Sequence, residues 1–396
     1  MEIHLNFRTG SDAEWQQKFI PQYQAANPGV KLTLDVLPGE PDYWAKIQAL
    51  FATGQVGDFI WASVGNYKGF ALKNIFSPLD PIIAKDKYDM SDYSTPGTSN
   101  MTVNGKLYGL PWGAHLQSCA VMYNQDLLDK DGVKIEDATK SFDDLYAAAV
   151  KLTKSSGGKR TQFGFVPSSG QTGMLPVVRS YGGEFYDQAG QKLALDSPQA
   201  MAGISWMLKM WKDASITFGG GLNSSELFAN GQIAMVHAWY GNQFDPGEKA
   251  INGKFKWDIA LMPKGPANVI GTMFTINGIA MSSITKHPDE TWGYMKYMMD
   301  PVNQVQIVEN GGGRPAARHS VLNNTELMTK MKAHKVFVPL YDTAQPWPEP
   351  GNHRWPEFNT AVDQVFGPIW TGQATIDAGM KDVTSKLQEI LDKPTA

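Results

Sequence analysis

Apolar positions in the first third of the chain change period in a regular order. Ile3, Leu5 and Phe7 alternate as in a strand with one buried face, and Trp15, Phe19 and Tyr23 then fall four apart, on one side of a helix. Val30, Leu32, Leu34 and Val36 alternate again, Tyr43 to Thr53 returns to helical spacing before Gly54, and Asp58-Phe-Ile-Trp-Ala62 reads as a buried third strand. The run from Arg8 to Asp12 offers a turn and a helix cap, and Pro21 predicts a kink or an early end of that helix. Strand, helix, strand, helix, strand predicts a parallel sheet with crossover helices. Ligands of such sheets sit at the carboxyl ends of the strands, which here are Arg8 to Ser11, Leu37 to Tyr43 and Ser63 to Asn66.

The rest of the chain repeats these signals less regularly. Ser141-Phe-Asp-Asp144 starts a helix running to about Thr153 and ended by Ser155 to Gly158, and Phe163 to Val166 forms a short strand before a loop from Pro167 to Gly173. Ser197-Pro198 caps a helix with Met201, Ile204, Leu208 and Trp211 on one face. A further helix ends at Asn230-Gly231, a strand runs from Ile233 toward Trp239, and Trp257 to Met262 is another strand. Phe274 to Ser282 is expected to return to the first half of the molecule, and Phe358 to Trp370 and Ile376 to Leu391 form two terminal helices. The Pro- and Trp-rich stretch from Asp342 to Trp355 is long for a connector. Asn310-Gly-Gly-Gly-Arg-Pro-Ala316 lacks the Gly-Lys-Ser/Thr of a phosphate cradle and reads as a helix end.

One stretch links the halves. Asn104-Gly105 is a tight-turn pair, Leu107 to Leu110 a short apolar segment, and Pro111 forces Leu110 into extended backbone, so the chain leaves one sheet here; Ala120 to Tyr123 then restarts a strand. On spacing alone, an ordinary loop within one sheet stays open. Gly105-Lys-Leu-Tyr-Gly-Leu-Pro111, followed by Met122-Tyr-Asn-Gln-Asp-Leu-Leu128, resembles the hinge-crossing signature of the extracellular solute-binding proteins of ABC importers, the sugar-type family. Asn27-Pro-Gly-Val-Lys-Leu32, the Phe228-to-Met235 segment, Pro263 to Pro266 and the Gly-Gly-x-Pro run are similar to the family too, and Gly57-Asp58 stands where it usually has Pro-Asp.

That resemblance implies a type II periplasmic-binding-protein-like α/β fold, two-lobed, with mainly parallel sheets flanked by helices, a hinge and a ligand cleft. The expected N-terminal lobe is 1–112 with 271–325, and the C-terminal lobe 113–270 with 326–396. It also implies an exported, monomeric receptor at the cell surface or in the periplasm, delivering a carbohydrate to the permease subunits of an ABC transporter.

Composition sharpens this picture. The 396 residues exceed what one core organises, and 42% apolar against 19% charged residues describes a chain with ample core. No run of eighteen apolar residues appears, and the start of the chain lacks a signal peptide, which is expected to be absent or already removed. A net charge of −4 with scattered Lys and Arg disfavours nucleic acid as a partner. The single Cys119 reads as a buried small hydrophobe, and seven dispersed histidines give no metal or cofactor site. The excess lies in 12 Trp, 14 Tyr and 18 Phe, many of them in Gly- and Pro-rich segments, where flat faces suit a sugar ring.

The candidate binding residues follow from these placements. Arg8 and Ser11 follow the first strand, Tyr43 and Trp44 come from the second loop, and Ser63 and Asn66 follow the third strand. Trp112 and His115 belong to the crossing, Trp239 and Tyr240 to the second half, and Phe274, Arg314, Trp347 and Trp355 to the returning segments. Arg8 reads equally as an ion-pair residue, His115 as a hinge residue, Trp44 as core, and Trp239 as a structural tryptophan. Three other functions stay open: a carbohydrate-active enzyme using paired carboxylates, a receptor for glycerol phosphate or a polyamine, and a sensor component. An anion would draw on Arg8 and Arg314.

Overall fold

The computed structural model describes residues 1–39, 42–310 and 314–395. The triple glycine at 311–313 and positions 40–41 of the second loop lie outside the described residues.

The alternating segments at the start form β1 (Glu2–Arg8), β2 (Lys31–Leu37) and β3 (Phe59–Ser63). β1 runs parallel to both, with Leu5 opposite Leu34 on one side and Phe59 on the other. A hairpin of β4 (Thr102–Val103) and β5 (Lys106–Leu107) turns through Asn104 and Gly105 at φ 50° and 76°. Positive φ at both positions is what a two-residue turn of this hand needs.

There follow β6 (Gly109–Leu116), β7 (Ala120–Asn124), β8 (Lys154–Ser156), β9 (Lys159–Val166), β10 (Ile233–Ala238), β11 (Trp257–Leu261) and β12 (Phe274–Met281). One five-stranded sheet has the order β2-β1-β3-β12-β6 and the other β11-β7-β10-β9-β8. Both are mixed: β12 is antiparallel to β3, while β10 is antiparallel to β7 and parallel to β9. Helices cover the sheets, so β6 and β12 are buried at every position, the polar His115, Thr275 and Asn277 included.

The chain forms two compact units. The first comprises Met1–His115, Thr275–Thr329 and Tyr341–Thr343; the second comprises Leu116–Phe274, Lys330–Leu340 and Ala344–Ala396. In the first, Phe7 stacks on Phe59 at 5.3 Å, and Tyr23 of the helix Ser11–Ala26 meets Tyr294 at 5.1 Å. In the second, Phe142, Phe165 and Trp206 join helices to β9, with Phe142 and Trp206 at 4.8 Å and Phe165 and Trp206 at 6.2 Å. Among the described residues no helix is long and apolar enough to cross a membrane.

Several elements depart from the sequence reading. The first helix runs on through Pro21 to Ala26, because Pro21 is exposed and the opposite face buries Trp15, Phe19 and Tyr23. A carbonyl freed on the solvent side is satisfied by water, whereas losing the buried stripe would cost several kcal/mol. No side chain caps that helix, whose N-cap is Gly10; Asp12 instead pairs with Arg8. Pro111 does not end a strand. β6 passes through it to Leu116 at the edge of its sheet, where a missing donor is tolerated. The expected loop from Pro167 contains the start of a helix, Gly170–Ser180, and the stretch 155–158 is the end of β8 and the two-glycine turn that joins it to β9.

Candidate functional site

In the first unit, β1 ends at Arg8 and β3 at Ser63, next to each other in the sheet. The Arg8 guanidinium lies over the Trp61 ring, 4.4 Å from its centroid, and Nη2 reaches the Asp12 carboxylate at 3.2 Å. Asp12 is almost fully buried, so the arginine compensates a carboxylate that burial would otherwise penalise. The pairing of β1 with β3 brings Arg8 and Trp61 together; neither residue predicts the other in the sequence.

β6 supplies the second half of this group. The Trp112 ring meets Phe7 edge-on at 6.2 Å. Next to it Gly113 has no side chain, and the Arg314 stem fills the space: a Cβ at 113 would sit 3.5 Å from Arg314 Cβ and 3.7 Å from its Cδ. The backbone hydrogen bond from Ala114 N to the Pro315 carbonyl, 2.8 Å, holds the neighbouring residue. Thr275 Oγ1 donates to the His115 carbonyl at 3.1 Å, and the Tyr341 hydroxyl donates to the Ala114 carbonyl at 2.7 Å. Burial first, then the positive charges of Arg314 and Arg8, hold the His115 imidazole well below its ordinary pKa, so it is neutral at pH 7. The structure thus gathers Arg8, Trp112, His115 and Arg314 in one unit, with Trp61 and Asp12 added. The Nε1 donors of Trp61 and Trp112 are buried and have no hydrogen-bond partner among the described residues. Each such N–H carries a desolvation cost of about 1–3 kcal/mol.

In the second unit, Trp239 stands immediately beyond β10 and is half-buried. Its backbone N–H donates to Asn242 Oδ1 at 2.8 Å. The indole lies against Gly241, where a Cβ would fall 2.1 Å from Cη2 and 2.3 Å from Cζ3. A glycine here leaves room for the ring. Trp347 and Trp355 meet at 4.9 Å, inclined at 67°. Trp355 is half-buried and donates through Nε1 to Gln171 Oε1 at 2.9 Å, while Gln171 Nε2 donates to the Tyr186 hydroxyl at 2.5 Å. One amide of the helix Gly170–Ser180 therefore fixes two rings.

Other predicted residues have different surroundings. Tyr43 is fully buried on the helix Asp42–Ala52, its hydroxyl directed at the carbonyls of Trp61, 2.9 Å, and Asn6, 3.1 Å. Trp44 packs on Trp61 and Phe70 in the same core. Tyr240 is fully buried, with its hydroxyl 2.8 Å from His334 Nδ1, and Phe274 is buried with its N–H on the Gln345 carbonyl at 2.9 Å. These four are core positions, because helical or strand phase turns them inward. Trp347 is buried too, at 7% exposure, behind Trp355. Ser11 is exposed, and Ser63 and Asn66 are half-buried at the carboxyl edge. Asp12, Trp61, Gln171 and Gly241 are the residues that the sequence reading missed. A glycine two places after an aromatic at a strand end was the one available signal.

Two units, each on a mixed five-stranded sheet covered by helices, define an α/β fold of the periplasmic-binding-protein type. The model of the bacterial extracellular solute-binding protein family matches residues 18–336, and the chain belongs to that family. It is a family of solute-binding proteins, which agrees with a receptor and not an enzyme. A Brucella abortus (strain 2308) protein named as a binding protein is 26% identical, over 94% of this chain and 88% of its own. The sn-glycerol-3-phosphate-binding periplasmic protein of Escherichia coli (strain K12) is 23% identical over 77% of this chain and 72% of its own. Among solved structures, an ABC substrate-binding protein from Listeria monocytogenes in complex with cycloalternan superposes with a TM-score of 0.83 at 21% identity, covering 98% of both chains.

Proposed function

We propose that this protein is the monomeric substrate-binding component of an ABC importer, exported to the periplasm or cell surface, and that it binds a carbohydrate, an oligosaccharide, for delivery to a membrane permease. The observation that carries this reading is Trp239, a half-buried ring at the end of β10, packed against Gly241 and fixed through its backbone by Asn242. A rigid aromatic face is what the apolar side of a pyranose stacks on, and ordering it beforehand lowers the cost of binding. Trp355, half-exposed and oriented by Gln171, supplies a second face of the same kind. The cycloalternan complex of the Listeria structure supports a saccharide ligand for this fold.

The test is a thermal-shift screen of the purified protein against mono- and oligosaccharides, with glycerol phosphates and polyamines alongside. A ligand at a hundred times its dissociation constant should stabilise by about 2.7 kcal/mol. A saccharide series that shifts the melting temperature, with the response lost in Trp239→Ala, supports the reading. Silence from every sugar overturns it.

A further inference from the structure

We propose, resting on the carbohydrate reading, that His237 is a positioning residue of the saccharide site. By accepting the backbone N–H of Ser168 it sets the end of β10, which leads into Trp239, against the helix start from which Gln171 orients Trp355.

In the second sheet β9 and β10 run parallel, with Phe165 opposite Met235 and Val166 opposite Val236. The residue after β9 is Pro167, which has no N–H, so the backbone ladder lacks a donor there. A side chain takes over the link. The Ser168 N–H donates to His237 Nδ1 at 3.1 Å. A backbone N–H can only donate, so Nδ1 is the bare nitrogen of the ring and Nε2 bears the proton. Burial brings the imidazole to about 3, which keeps Nδ1 free to accept at neutral pH. Phe165 meets the ring edge-on at 5.0 Å and 88° and holds its plane.

As a device for stability this is a poor exchange. His237 is 4% exposed, so two ring nitrogens leave water for one hydrogen bond, Nε2 having no partner among the described residues. What the imidazole secures is the placement of the loop 167–169. Ser168 is also held from its other side, its carbonyl lying against Gly173, where a Cβ would fall 2.2 Å away.

The helix that opens with Trp355 meets the end of this loop twice. Gln171 Oε1 accepts from the Trp355 indole at 2.9 Å, and the Gly170 N–H donates to Asp363 of the helix Trp355–Trp370. On the other side of His237 only Ala238 separates it from Trp239, whose backbone N–H is held by Asn242. One chain of contacts thus runs from Trp239 through His237, Ser168 and Gln171 to Trp355. Rings set relative to each other beforehand spare a ligand of several sugar rings the cost of ordering them.

The experiment compares His237→Asn, whose Oδ1 stands near the place of Nδ1, with His237→Gln, whose amide stands near that of Nε2. Both remove the ring, and only the first keeps an acceptor for Ser168. The full chain is labelled with fluorotryptophan, and Trp239→Phe and Trp355→Phe assign the two fluorine resonances. At neutral pH, His237→Gln is expected to shift or broaden both, His237→Asn to keep them near their original places, and Trp292 of the first unit to stay unmoved in either. Calorimetry with maltotriose, cellotriose and xylotriose should give affinities about two- to tenfold weaker for His237→Gln than for His237→Asn, the cost of ordering one more side chain on binding. The urea midpoints of the two variants should differ little. A midpoint that falls in His237→Gln, with spectra and affinities alike in the two, marks a merely structural histidine and overturns the inference. Where neither variant folds, hydrogen exchange of the unmodified protein decides: a slowly exchanging Ser168 amide upholds the link, and a fast one overturns it. Silence from these and every other saccharide removes the carbohydrate reading instead, and the fluorine comparison alone then upholds or overturns His237 as the residue that sets the two rings.

Discussion

The two units use the same residue type in opposite ways. In the first, Trp61 and Trp112 are 0% and 3% exposed, and the Arg8 guanidinium lies over the Trp61 ring. In the second, Trp239 and Trp355 are half-exposed, and amides, Asn242 and Gln171, hold them. A tryptophan outside a helical stripe is therefore not thereby a ligand contact. Trp61 lies in β3, inside its sheet, whereas Trp239 follows the end of β10 and Trp355 opens a helix. The buried Trp61 ring is the floor on which Arg8 is positioned, while Trp239 and Trp355 keep part of their surface exposed.

The largest test of this contrast is truncation. Trp61→Ala should lower unfolding free energy in urea by about 3–5 kcal/mol, as for other buried aromatics. Trp239→Ala should cost about 1 kcal/mol or less while weakening saccharide binding about tenfold or more. If Trp239→Ala unfolds the protein and Trp61→Ala merely weakens binding, the contrast is reversed.

Acid comes next. His115 and His237 are both buried and neutral; burial brings His237 to about 3, and burial with two arginine charges brings His115 well down. Below pH 6.5 the unfolded chain takes up these protons and the folded one does not. Stability should therefore be full above pH 6.5 and fall as the pH drops toward 3, by up to about 1.4 kcal/mol per pH unit for each imidazole. His237→Gln should flatten the slope of midpoint against pH in urea titrations between pH 6 and 4, and an unchanged slope would remove His237 from the account.

Smaller effects separate the buried tyrosine from the ligand. Tyr43→Phe removes the hydroxyl directed at the Asn6 and Trp61 carbonyls, and should cost about 1–2 kcal/mol of stability with no change in affinity. A loss of binding would return Tyr43 to the ligand surface. Smallest is Trp355→Phe, which keeps a ring but drops the bond to Gln171. It should cost about 1 kcal/mol and raise the dissociation constant a fewfold, because the second face is then less well oriented.

Period carried most of the fold: β1, β2, β3, β10, β11 and β12 lie within a residue or two of where alternation placed them. The errors came where tertiary context overrides a local rule. Pro111 is harmless on an edge strand, and Pro21 on the wet side of a helix, but neither the edge nor the wet side is visible before the sheet is assembled. The helix Gly170–Ser180 was missed because Gly170, Gly173 and Pro176 weaken its signal. At the candidate site, the positions after strand ends were legible from topology, which led to Arg8, Ser63 and Trp239. The inward-facing Tyr43, Trp44, Tyr240 and Phe274 were not separable from them, since a single residue's phase depends on which neighbour covers it. Contacts between distant segments, Arg8 with Trp61 or Arg314 with Gly113, leave no mark in a single sequence.

The placement of β12 has a consequence for how the molecule is made. That strand is the joint between β3 and β6, yet it is supplied by residues 274–281, long after β6 ends at Leu116. During synthesis the first 116 residues hold β1, β2 and β3 but leave β6 with no neighbour in its sheet, and the whole second sheet emerges before the missing strand does. The first unit cannot close as its own residues appear; it waits for a late segment. A nascent chain halted before Phe274 thus keeps two open strand edges, a form suited to holding by a chaperone and poorly suited to premature collapse.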